Sequence, residues 1–172
     1  MVRYAEPGVV EWVESGGGPL IAVPETVLPF WAGADGEETA SDYDRACEVD
    51  GSVGLLPVGD STALVLGDEP AATAYLPEQA AFVRWRAGDS EAELLAGVPS
   101  AIATAEWEPE VLWNVPGTVL LFDAAWPGTG PTGVDQIRVP LEPGRYAVRA
   151  AQVQPGPETW LDLVQLRLLS PR

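Results

Sequence analysis

At 172 residues, 47% of them apolar, the chain is sized for one domain that buries about 70% of its unfolded-chain surface, and no apolar run approaches the roughly 20 residues that span a bilayer. Its formal charge of −17 repels nucleic acid and anionic lipid, both of which need cations to displace their counterions. All nine basic residues are arginine, there is no lysine or histidine, and Cys47 is the single cysteine. That inventory excludes Schiff-base chemistry, histidine-activated nucleophiles, zinc sites of the usual N/S kind and an internal disulfide.

The opening stretch MVRYAEPGVVEWVE joins no basic segment to a continuous apolar run, so no secretory signal is read there and a cytoplasmic location is expected. VVEWVE, residues 9–14, reads as a strand. The glycines of ESGGGPLIAV then pose a choice between a phosphate loop and a turn. A phosphate loop needs converging N–H groups, usually at a helix N-terminus, and in nucleotide hydrolases a lysine. Here proline and an apolar strand follow, and Glu14 repels an anion. The glycines are therefore read as a turn folding VVEWVE back against PLIAV.

Trp31 and Trp126, flanked by Pro, Gly and Ala in loop-like stretches, are candidate exposed anchors for a partner. Trp12, Trp85 and Trp160 lie in strand-like runs and are expected in the core. Between Gly33 and Gly51 seven acids (Asp35, Glu37, Glu38, Asp42, Asp44, Glu48, Asp50) face one arginine, Arg45, with Glu25 just upstream. Within that segment Ser41 and Asp44 have the spacing of a capping box, predicting a short helix. A calcium loop counted from Asp42 fails, because it puts Ala46 at the third ligand and Cys47 at the obligatory glycine. Cys47 is expected to be a small buried residue.

Apolar, β-branched runs continue as SVGLLPV, TALVL, TAYL, AFVRW, EVLWNV, TVLLFDAAW, QIRVPL, RYAVRAAQV and TWLDLVQLRLL, each read as a strand. Turn residues at Gly67–Pro70 and Glu142–Arg145 predict hairpins. In RYAVRAAQV, Tyr146, Val148 and Ala150 share one side and Arg145 and Arg149 the other, which predicts a strand with one solvated face, whereas the last run is apolar at both parities and predicts burial on both faces. DSEAELLAGVPSAIATA predicts a helix capped at Asp89 or Ser90 and broken at Gly97 and Pro99, with a second short helix through about Ala103. PGTGPTG, 127–133, is the expected flexible loop. The sum is an α+β, β-dominated fold, with antiparallel sheets, hairpins and a few short helices in a single domain over residues 1–172.

Residues 1–100 hold 18 acids against four arginines and residues 101–172 hold eight against five, so the acidity belongs to the N-terminal part. With 26 acids and seven tryptophans, a carboxylate pair beside an aromatic platform is chemically open, but nothing in the spacing selects a pair.

Taken together, WVESGGGPLIAVP, SDYDRACEVDG, ALVLGDEPAATAYLP, AFVRW and PLEPGRYAVRA...TWLDLVQL resemble immunity protein family twenty-one of bacterial polymorphic toxin systems, in the same order from about Glu11 to Leu169. The resemblance implies a cytoplasmic protein, encoded beside a toxin, that binds and blocks that toxin; it brings no catalytic residue, cofactor or metal. The matching positions are Trp12, Ser15, Gly16, Gly17, Pro19, Asp42, Asp44, Arg45, Gly67, Asp68 and Pro70, and most of these fix turns and caps by their residue chemistry. The acidic segment 33–51 is the expected contact surface for a basic toxin. The competing expectations are a β-rich carbohydrate or small-ligand module, which predicts a Trp-lined pocket, and a scaffold subunit, which predicts a large exposed apolar patch.

Overall fold

In a computed structural model, which describes residues 8–36, 39–67, 69–130 and 134–172, ten strands form two antiparallel five-stranded sheets. The first sheet has the order β2-β3-β1-β7-β8: Val53–Val58, Ser61–Leu66, Leu20–Pro24, Val119–Asp123 and Gln136–Val139. The second has the order β4-β5-β10-β9-β6: Ala72–Leu76, Ala81–Ala87, Thr159–Pro171, Gly144–Gly156 and Val111–Val115. Each strand follows one of the apolar runs. VVEWVE is the exception, contributing a single bridge between Val13 and Thr73.

The sheets face each other across one core. Leu20, Leu64, Leu66 and Leu121 of the first meet Phe82, Trp113, Val148 and Val164 of the second. Both outer faces are covered as well. A 3₁₀ helix, Glu25–Phe30, and helix α1, Asp42–Cys47, lie with Ile21, Val23, Val65 and Phe122. Helices α2, Glu91–Ala96, and α3, Val98–Thr104, place Leu94, Val98 and Ala101 on Val83, Leu161 and Leu163. Strands buried on two sides must be apolar at both parities. That is why Leu161, Leu163, Val164 and Leu166 are all buried, as the last run predicts; it also corrects the solvated face expected of RYAVRAAQV, since Ala147 and Ala151 are buried as well as Tyr146, Val148 and Ala150.

Three turn expectations are corrected. The glycine turn does not fold VVEWVE onto β1, because Val13 bridges to the second sheet while β1 sits between β3 and β7 of the first. Gly67–Pro70, of which Asp68 is outside the described residues, joins β3 to β4, and Glu142–Arg145 joins β8 to β9; both connections cross between sheets. Turn residues bend the chain, but long-range anchors choose the destination. The buried Arg84 donates to the carbonyls of Gly67 and Glu69 at 2.6 and 2.9 Å, and the Tyr146 hydroxyl donates to Glu142 O at 2.7 Å. Trp160 is a further correction, being 50% exposed where the register shifts between Trp160 and Leu161. Trp12 and Trp85 meet expectation more closely, with ring centroids 5.4 Å apart against the α2–α3 layer.

Candidate partner-binding surface

The acidic segment begins where the 3₁₀ helix ends. Ser41 caps α1 by accepting from Asp44 N at 3.1 Å, and the Asp44 carboxylate accepts from Ser41 N at 2.9 Å, the reciprocal capping box that the spacing predicts. These bonds from Ser41 hold the Asp44 carboxyl below its ordinary value of 3.8. Asp42 is committed too: one oxygen accepts from Ala32 N at 2.8 Å and the other from the Arg45 guanidinium at 2.9 Å. Arg45 also donates to Pro57 O at 3.0 Å, tying α1 to β2. Asp42, Asp44 and Arg45 are thus structural in α1, while Asp35, Glu48 and Asp50 are exposed with their charge in solvent. Glu37 and Glu38 lie outside the described residues.

Trp31 is corrected from exposed anchor to core. It is 1% exposed, and its indole N–H donates to Ala124 O at 3.1 Å. Neighbouring Pro, Gly and Ala suggest a loop, and the chain is irregular there, but α1 and the loop after β7 close over the ring from distant sequence. Trp126, by contrast, is 45% exposed. Its loop is bound to the acidic segment: Ala34 N donates to Ala125 O at 2.9 Å, and Gly128 N to Trp31 O at 2.8 Å. Trp126 and the start of the acidic segment therefore share one region. PGTGPTG is described only over 127–130, and the Gly128 bond shows that this part is anchored.

Asp123, at the end of β7, links these loops to the glycine turn. Its carboxylate accepts from Gly16 N at 2.7 Å and from Ala125 N at 2.9 Å, and it is 6% exposed. Ser15 closes the turn by donating to Gly18 O at 2.6 Å and accepting from Gly17 N at 3.1 Å, and Pro19 O accepts from Ala124 N at 3.1 Å. A Cβ at Gly18 would run into the phenol ring of Tyr43, which accounts for glycine there. That phenol is raised above its ordinary value of 10.0, first by its hydrogen bond to Cys47 and then by burial. Cys47 itself is exposed, contrary to expectation, because it ends α1 on the solvent side. Nothing in residue spacing pointed to Asp123; the one available signal is a lone acid closing the apolar run TVLLFD.

The turn 15–18, residues 31–34 and 41–45 and the loop 123–128 thus form one hydrogen-bonded assembly, and the residues of SGGGP and SDYDR converge in it. A model of the family described as Immunity protein 21 matches residues 11–159. The chain belongs to that family. No curated protein and no solved structure matches it. Family-motif positions outside the assembly also do structural work. Trp12 donates from its indole to Glu91 at 3.0 Å, Gly67 N donates to Ser52 O at 3.0 Å, and Pro70 sits in the same sheet crossing. Among the described residues no group of three or more His, Cys, Asp or Glu side chains is placed to hold a metal ion, and no helix is long and apolar enough to cross a membrane.

Proposed function

We propose that this member of the Immunity protein 21 family is the cytoplasmic antidote of a bacterial polymorphic toxin system, a single domain over residues 1–172 that binds and blocks a cognate toxin without catalysis or a cofactor. The family match over residues 11–159 carries the reading. The acidic segment 33–51 supports a basic partner: exposed acids raise the encounter rate with a cationic surface and set its orientation. Asp35, Glu48 and Asp50 are the described acids free of the capping duties of Asp42 and Asp44. Trp126 supplies an exposed aromatic side chain on the loop that is bound to the start of that segment.

The test is co-expression of the toxin domain encoded next to this gene, with and without this protein. Growth rescue together with a stoichiometric complex is the expected result. With both proteins soluble, absence of rescue and of a complex rejects the pairing; a ligand-binding module would then show itself in tryptophan fluorescence titrations. Once a complex is in hand, reversing Asp35, Glu48 and Asp50 to Lys should slow association about tenfold at low salt and flatten its salt dependence. An unchanged rate removes this segment from the contact.

A further inference from the structure

The inner face of the second sheet changes character along its strands. One cross-strand row, Tyr75, Phe82, Val164 and Ala150, packs in the shared core, and the next row is Thr73, Arg84, Asp162 and Gln152. Directly paired residues lie on one face of a sheet, and so do residues two apart on a strand. Arg86 and Gln154 therefore carry the polar surface outward from Arg84 and Gln152. Cover from the first sheet stops at the inner of these groups: Arg84 is buried against the carbonyls of Gly67 and Glu69, while Gln152 and Gln154 are exposed. At Trp160, β10 breaks register with both neighbours, and the bulge leaves the indole 50% exposed beside the polar side chains. Trp160, Arg86, Asp162, Gln152 and Gln154 line a small open pocket of about 150 Å³.

Several of these groups are held in place by the fold itself. Arg86 donates to the Asp162 carboxylate at 2.8 Å and to Glu69 at 2.6 Å, and the Gln154 carboxamide donates to Pro157 O at 3.0 Å. Two guanidinium groups, Arg84 and Arg86, thus stand with two carboxylates, Glu69 and Asp162, so the charges of these four side chains balance. An ionic ligand gains little from such a wall. A hydroxyl both donates and accepts, which suits a lining that mixes carboxylate, guanidinium and carboxamide groups.

Size and spacing narrow the ligand further. Arg86 comes from β5, Asp162 from β10, and Gln152 and Gln154 from β9. With about 4.8 Å between strands the outer two stand roughly 10 Å apart, which a six-membered ring with hydroxyls on its rim spans with one hydrogen bond at each side. The volume lies below the roughly 300 Å³ at which pockets begin to take drug-sized ligands, so it is sized for one ring and not a chain. The indole adds a flat apolar surface for the C–H face of that ring. We propose that this pocket binds a single neutral pyranose sugar, stacked on Trp160 and hydrogen-bonded to Gln152, Gln154 and the pair Arg86 and Asp162. The site shares no residue with the acidic segment, and it stands or falls independently of the toxin-binding reading.

The experiment titrates the full chain with glucose, galactose and N-acetylglucosamine in turn, reading tryptophan fluorescence and, by NMR, saturation transfer to the sugar protons. Adenosine is the comparison, a neutral ligand that stacks through an aromatic base. At least one sugar should bind saturably with a Kd of roughly 1 mM, and adenosine should bind more weakly. Because its ring is exposed, Trp160→Ala should melt like the wild type, and it should raise the sugar Kd roughly tenfold. Gln152→Ala should raise it roughly fivefold while leaving the fluorescence change at saturation intact. Trp126→Ala, which removes an exposed indole elsewhere, should bind sugar as the wild type does. Saturable binding by none of the sugars overturns the proposal, as does sugar binding that Trp160→Ala and Gln152→Ala leave unchanged. Tighter binding of adenosine overturns the sugar class. None of these results alters toxin neutralisation, which the co-expression test decides separately.

Discussion

The two outer faces of the sandwich are covered by different means. Over the second sheet, α2 and α3 press Leu94, Val98 and Ala101 onto Val83, Leu161 and Leu163, with the Ser90 cap and the Trp12 indole bond to Glu91 beside that apolar contact. Over the first sheet, the 3₁₀ helix, α1 and their loops have an apolar underside, but they are also stitched by side-chain acceptors on backbone N–H groups: Asp42 on Ala32, Asp44 on Ser41, and Asp123 on Gly16 and Ala125. Apolar contact fixes a layer without dictating its surface. Directional bonds fix loop shapes, and one loop so held carries the exposed Trp126. The contrast predicts that one cover carries stability and that the other carries the proposed recognition.

The largest expected effect lies on the apolar side. Leu94→Ala leaves a cavity among fully buried neighbours and should cost about 2–5 kcal/mol in denaturant unfolding. Toxin affinity per folded molecule should be unchanged; a matching loss of affinity would break the division of labour. Asp123→Ala should cost on the order of 1–3 kcal/mol, because the N–H groups of Gly16 and Ala125 lose their acceptor. In contrast to Leu94→Ala, it should also weaken toxin binding and speed amide exchange at Gly16 and Ala34. Stable, fully protected amides in that variant would show that the loops hold their shape without the carboxylate.

The smallest effect is a pH dependence. Asp44 has its pKa lowered by the bonds from Ser41, so the carboxylate favours the folded state above its unfolded value near 3.8, and that contribution is lost as pH falls through the lower folded-state value. The stability of the wild type over Asp44→Asn should therefore be present at about pH 6 and close as the carboxyl protonates. A gap that persists at acid pH would assign it to α1 propensity instead of the capping box.

Much of the fold was legible because its signals are local. β-branched runs gave the strands, Ser41 with Asp44 and Ser90 with Pro99 gave the helix starts, and apolar residues at both parities foretold a strand buried on two sides. Sheet membership was not legible. Glycine and proline at Gly67–Pro70 and Glu142–Arg145 specify a bend, and the choice between a hairpin and a crossing falls to Arg84 and Tyr146, which act across the sequence. The site divides the same way. The charge of segment 33–51 was readable, whereas the burial of Trp31 and the place of Asp123 both depend on segments that meet only in the folded chain.

The position of β1 has a consequence for how the chain reaches this state. It is flanked by β3 and β7, with Leu20 paired to Leu66 on one side and to Asp123 on the other. β5 likewise waits for β10, since Val83 pairs with Leu163. Neither sheet can close until late sequence arrives, and loop closure over such separations slows the search for the native pairing. During synthesis one edge of β1 and one edge of β5 stay open until β7 and β10 emerge, and the acidity of the N-terminal part opposes pairing of those edges with other chains.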